Sequence, residues 1–175
     1  MFKEERKVPM FEWSMLGDVD EGRPNLGNLM EVTVYRLMQY AIRDVLIIEF
    51  GVEKADEIIY KAGQEAGQNY FKNVITEKTD FNKFIDNLQE TLKRLKMCVL
   101  RVEHADLDNL KFTLAVAEDL DCSGLPICGE EICTYDEGFI GGILHEFTGK
   151  DFDVKEIDCW CSGGRVCRFD VKLSK

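Results

Sequence analysis

The residues best suited to chemistry in this chain are its seven cysteines: Cys98, Cys122, Cys128, Cys133, Cys159, Cys161 and Cys167. All lie in the C-terminal half. The odd count, and an N-terminus without the apolar core of a signal peptide, argue against a disulfide framework and for a reducing, cytoplasmic setting. Metal binding and inert buried thiols are then the two readings of the cluster. Cys159 and Cys167 flank Ser162-Gly163-Gly164-Arg165, the turn of an expected hairpin. If the loop is Ser162 to Gly164, the two thiols stand opposite each other on one face of the sheet. A turn one residue different would bring Cys161 nearer instead. Cys133 falls at the start of an expected helix, where the positive end of the dipole favours a thiolate. Cys122 lies in the loop before it, and Glu118 at the end of the strand before that. Tetrahedral zinc takes four N, S or O ligands, so three cysteines plus a fourth cysteine or a carboxylate would close the count.

Other residues carry less. His104 and His145 are the only histidines, and neither has a Ser or Cys partner that would make it a nucleophile's base. Gly138-Phe139-Ile140-Gly141-Gly142 is glycine-rich but lacks the strand and the spacing of a phosphate cradle. Glu130-Glu131 and Asp136-Glu137 sit near a helix start and are expected to be solvated there. Asp119 and Asp121 suggest a calcium loop only faintly, because no Glu follows at loop position twelve. No catalytic constellation emerges.

The elements that must position these residues follow from periodicity. Residues 1–27 form an N-terminal arm with apolar anchors at Phe2, Met10, Phe11 and Trp13. A helix over roughly 28–50, capped by Asn25 or Asn28 and stopped by Gly51, carries Met30, Val34, Leu37, Met38, Ala41, Ile42, Val45 and Ile48 at three- and four-residue spacing, the pattern of a buried face. A second helix spans about 53–75, with Gly63 and Gly67 on one side for close helix packing. A third covers 80–96. Period-2 segments at 98–105 and 110–118 form a hairpin. A fourth helix over 132–148 ends at Gly149, and a second hairpin pairs 152–161 with 166–173. The order α-α-α-β-β-α-β-β predicts an α+β fold: N-terminal helices on a four-stranded antiparallel sheet. Tyr35, Met38, Tyr70 and Phe71 exceed what one packing face needs and predict a ligand cavity of at least roughly 300 Å³ between these helices and the sheet.

The composition sets the partners. The 175 residues suit one domain, with 28–175 as the folded unit. Net charge is −11; residues 1–96 hold 14 Lys and Arg against 17 Asp and Glu, and residues 97–175 hold 8 against 16. So acidic a chain would repel a phosphate backbone, which excludes direct nucleic-acid binding. No run of 18 apolar residues points to a membrane.

The run Cys133…Glu137-Gly138-Phe139-Ile140-Gly141-Gly142, then Glu156-Ile157-Asp158-Cys159, then Gly164…Cys167-Arg168-Phe169-Asp170-Val171 resembles the signature of 4-vinyl-reductase-like domains. Asn25-Leu26-Gly27, Tyr35-Arg36-Leu37 and Ala62-Gly63…Gly67 are similar to weaker N-terminal features of that family, so the resemblance spans roughly residues 20–175. Such domains resemble the sensor modules of aromatic-responsive activators and subunits of vesicle-tethering complexes. The resemblance implies a zinc site of three cysteines and one carboxylate, a homodimer, and a small hydrophobic ligand held between helices and sheet. By motif the three cysteines are Cys133, Cys159 and Cys167. The fourth ligand does not carry over; Cys122 is preferred to Glu118 because thiolate is the better zinc ligand. Cys128 and Cys161 match no family role. A zinc-stabilised binding or sensing domain acting through partners is the resulting expectation. Its alternatives are a reductase acting on a vinyl-bearing tetrapyrrole and an interaction scaffold.

Overall fold

A computed structural model describes residues 2–174. A 3-10 turn, Trp13–Leu16, precedes a one-turn helix α1, Val19–Gly22, whose Asp18 side chain accepts from the Glu21 amide at 2.9 Å. Helices α2 (Val32–Phe50), α3 (Val52–Asn73) and α4 (Phe81–Arg94) follow, then strands β1 (Val99–Asp106) and β2 (Lys111–Ala117), helix α5 (Thr134–Thr148), and strands β3 (Phe152–Asp158) and β4 (Cys167–Leu173). From α2 onward this is the expected order of elements. The sheet is antiparallel throughout, in the order β1-β2-β4-β3.

Local chemistry explains most boundaries. Gly51, at φ +80°, separates α2 from α3 in a conformation that disfavours a side chain. Asp80 caps α4 by accepting from the Lys83 amide at 2.9 Å. The first hairpin turns at Asp106, whose carboxylate accepts from the Asn109 amide at 3.1 Å. Helix α2 starts later than expected. Asn28, offered as its cap, donates its side-chain amide to Asp20 at 3.0 Å, and Glu31 takes the cap position without a side-chain bond.

The core lies between the sheet and helices α3, α4 and α5, around Phe84, Phe112, Phe169 and Val171. Strand β3 shows the cause plainly: Phe152, Val154 and Glu156 face in while Asp153, Lys155 and Ile157 face out. Helices α3 and α5 share the most extensive helix contact and cross backbone to backbone. A Cβ on Gly138 would stand 2.0 Å from the Tyr60 carbonyl oxygen, and one on Gly67 would stand 2.2 Å from that of Phe139. Gly63 and Gly142 are similarly constrained. Glycine is required there by space, as expected for Gly63 and Gly67.

Helix α2 overturns its expectation. The stripe assigned to the core is the outward one: Leu37 is 71% exposed and Ile48 72%, with Met30, Val34, Met38, Ala41, Ile42 and Val45 also exposed. The inward side is polar instead, carrying Tyr35, Arg36, Gln39, Tyr40 and Arg43. These bond to the 119–123 loop and, from Arg43, to Asp56. Hydrogen bonding rather than apolar burial holds α2 to the body.

Candidate metal centre and the adjoining cavity

The four sulfurs of Cys122, Cys133, Cys159 and Cys167 lie within 4.8 Å of one another, on side chains 0–2% exposed. Cys133 is the residue before α5, its amide donating to Glu156 Oε2 at 2.9 Å. Cys167 opens β4. A register shift between Glu156 and Asp158 sets Asp158 against Arg168, so Cys159 follows at the level of Cys167. The loop beyond is held by Gly164, whose amide donates to the Cys159 carbonyl at 2.8 Å, and by Ser162, whose Oγ accepts from the Cys159 amide at 3.1 Å. Cys122 arrives from the loop after β2. Glu118 turns that loop: its φ of +51° bends the chain away from the sheet and leaves its own side chain exposed.

Ligand geometry can be tested directly. Zinc–sulfur bonds of about 2.3 Å at tetrahedral angles put sulfurs about 3.8 Å apart. Here Cys133 Sγ stands 3.9 Å from both Cys159 and Cys167, and Cys122 stands 3.1 Å from Cys167. None of these is a disulfide, whose sulfurs stand about 2.0 Å apart. Four buried cysteines are thus placed to hold a metal ion. Hydrogen bonds from Cys122, Cys133 and Cys167 hold the Cys159 thiol far below its ordinary pKa, so a negative charge already has a seat in the cluster. Glu118 is not among the grouped ligands. Of the remaining thiols, Cys128 is exposed and Cys161 buried, its carbonyl accepting from the Cys128 and Gly129 amides.

A carboxylate group adjoins the cysteines. Asp119 and Asp121 are each 4% exposed, and Asp136 completes the group from the first turn of α5. Asp119, Asp136 and Cys133 have ligand atoms within 4.8 Å of one another. Asp121 is well partnered, accepting from Tyr35 Oη at 2.8 Å and Gln39 Nε2 at 2.7 Å. Burial pushes the Asp119 carboxyl up to about 6 and the Asp136 carboxyl well above the usual range. Asp136 and Glu137 are therefore not the solvated pair expected: Glu137 is buried and accepts from Lys155 Nζ at 2.9 Å and the Glu156 amide at 2.8 Å. Glu156 is likewise buried and pushed up to about 8 by desolvation. Its place beside Cys133 is open to discovery from the E-x-x-C spacing itself. Asp119 and Asp136 give no such signal, since isolated aspartates near a helix start are ordinarily caps.

These carboxylates close one end of an apolar cavity of about 80 Å³ bounded by α4, α5 and the sheet. It is smaller than the expected 300 Å³, because Tyr70 and Phe71 fill core space and Met38 points outward; Tyr35 alone of that set reaches the cavity. A wider groove of about 540 Å³ lies under Phe11, Trp13 and Leu16 of the arm, against α3. Tyr135 and Phe139 border both spaces.

Among solved structures, the phenol-responsive sensory domain of the transcription activator PoxR superposes with a TM-score of 0.62 at 15% identity, covering 83% of this chain and 76% of that one. A vinyl-4-reductase family protein from Methanocaldococcus jannaschii gives 0.61 at 17% identity, over 97% and 100%. A trafficking protein particle complex subunit 3 from Naegleria fowleri, covalently bound to palmitic acid, gives 0.65 at 11% identity, over 82% and 95%. At these identities the likeness is one of fold. Two uncharacterised proteins of Methanocaldococcus jannaschii are each 26% identical, one over 148 residues (85% of this chain, 79% of the relative) and one over 149 (85% and 81%). Residues 112–173, from β2 through β4 and including all four clustered cysteines, match the vinyl-4-reductase (V-4-R) domain, and over that segment the chain belongs to the vinyl-4-reductase domain family.

Proposed function

We propose that this chain is a zinc-stabilised domain that binds or senses a small hydrophobic molecule and acts through partners. The observation that carries the reading is the apolar cavity whose polar end adjoins the cysteine cluster, through Asp119 and Cys133. Thiolates favour zinc among the common metals, and four protein ligands leave no open position for a reactive water, so the ion would be structural. Its role is to tie the loop after β2, the start of α5 and the β3–β4 turn together, which sets the cavity's polar end. The PoxR domain is named for its response to phenol and the trafficking subunit for its bound palmitic acid; this fold accommodates apolar molecules, which supports the same use here. Residues 1–27 would act as an arm and 28–175 as the binding domain, in a reducing, cytoplasmic setting suited to free thiols. No helix among the described residues is long and apolar enough to cross a membrane.

The outer face of α2 supports a homodimer. Leu37, Ile42, Val45 and Ile48 form an apolar stripe on an amphipathic helix, the kind of surface that a symmetric copy covers. The same stripe, with the modest cavity, favours a second reading in which the domain is an interaction scaffold and the cavity merely a packing gap. Native mass spectrometry of protein purified without added metal separates the two. One zinc per chain, a dimer of the 20.1 kDa chain and a co-purified small molecule are expected of the sensor. Zinc and dimer with no small molecule, and no uptake of added apolar compounds, would favour the scaffold.

A further inference from the structure

We infer that the cavity selects an amphiphile with an ammonium head: a short apolar chain or ring bearing a primary amine, held by Asp136 and Asp119. This rests on the reading of the cavity as a ligand site and goes further, to the chemistry of the ligand. The walls contributed by Leu92, Leu100, Leu114, Phe139, Ile143 and Leu144 offer no polar side-chain atom. Every charged lining group stands at one end, and each is acidic: Asp119, Asp121 and Asp136.

Hydrogen-bond bookkeeping identifies what that end lacks. Both oxygens of Asp121 are engaged by Tyr35 and Gln39. Asp119 Oδ1 accepts from the Asp121 amide at 2.6 Å, while its Oδ2 has only the Cys133 thiol at 3.9 Å. Asp136 Oδ2 is buried with no hydrogen-bond partner. Arg36, the cation on the facing helix, spends its guanidinium on the carbonyls of Leu120, Asp119 and Ser123 rather than on a carboxylate. Unmet acceptors in a dry site are costly, so the missing group is a donor. Two carboxyl groups side by side offer more acceptors than donors, and the first turn of α5 favours negative charge there. An ammonium supplies three donors and the opposite charge. An alcohol supplies one donor and no charge, and a carboxylate head is repelled. A bare divalent cation is the competing occupant, since Asp119, Cys133 and Asp136 converge. Cys133 is already committed to the cysteine cluster, however, and an ion would make no use of the apolar walls.

The test is calorimetric titration of the zinc-loaded protein with three matched series: n-alkylamines, n-alkanols and n-alkanoates of two to eight carbons. The amine is expected to bind at least about tenfold more tightly than the alcohol of equal length, from the gain of charged over neutral hydrogen bonds. The carboxylate should not bind. Affinity should rise about fourfold per methylene until the cavity is full. Asp136→Asn should bring amine affinity down to that of the alcohol with the zinc content unchanged; if this variant does not fold, Asp119→Asn serves the same purpose. Equal binding of all three heads would overturn the ammonium assignment while leaving the ligand site standing. No binding by any series would remove both. A second metal ion per chain in the parent that Asp136→Asn loses would assign the carboxylates to a metal instead.

Discussion

Helices α2 and α5 both carry many apolar residues, yet they are held in opposite ways. Helix α5 buries Phe139, Ile143 and Leu144 and meets α3 at backbone contact through four glycines. Helix α2 fully buries none of its residues; its polar side is pinned by hydrogen bonds to the 119–123 loop and its apolar side faces out. A period of 3.6 residues reveals an apolar stripe, but it does not reveal what covers the stripe. For α5 the cover is the chain's own sheet and α3. For α2 it must come from elsewhere.

The contrast is sharpest where the α5 side is attacked at its anchor. Cys159→Ser in the cysteine cluster is expected to release the metal and to cost on the order of 5 kcal/mol, less than the ~10–16 kcal/mol of zinc binding in finger peptides because a hydrophobic core remains. Elemental analysis with urea denaturation checks it; metal-free protein of unchanged stability would remove zinc from the account. Next in size, Gly138→Ala forces a methyl group against the Tyr60 carbonyl and should cost about 3 kcal/mol or prevent folding. Gly22→Ala, where the added methyl meets nothing within 4 Å, should leave stability within about 0.5 kcal/mol. Equal melting of the two variants would show that the α3–α5 crossing is looser than described.

On α2 the effects should be smaller and should divide by face. Tyr35→Phe on the inner side removes the bond to Asp121 and leaves a buried carboxylate short of a donor, a loss of about 1–3 kcal/mol by denaturation. Ile42→Asp on the outer side should change the stability of the isolated chain by less than about 0.5 kcal/mol while halving the particle mass in light scattering. If Ile42→Asp instead unfolds the chain, α2 is held by apolar burial after all and the contrast between the two helices collapses.

Much of this is legible from residue order alone. Gly51 and Gly149 stop helices where expected, and the second hairpin brings Cys159 level with Cys167. Ligand chemistry favours Cys122 over Glu118, and the backbone at Glu118 explains why its side chain ends outside. The illegible parts share one physical cause. Whether Asp136 meets water or Asp119, and whether Leu37 meets core or solvent, depends on which element packs over it. Local periodicity contains no information about that. The cavity's size is hidden for the same reason, since Tyr70 and Phe71 read as lining and serve as filling.

Strand β4 lies between β2 and β3 although it follows both along the chain. During synthesis the inner edge of β2 and that of β3 therefore stay unpaired until residues 167–173 leave the ribosome. Cys167 emerges in the same stretch, so the sheet and the thiol cluster become complete together. Until then two open strand edges and the apolar faces beside them are available to other nascent chains, which makes the interval a window for chaperone engagement or aggregation. A stop placed before Cys167 would prolong that window indefinitely, leaving a polypeptide with both hairpin partners made and the strand that joins them missing.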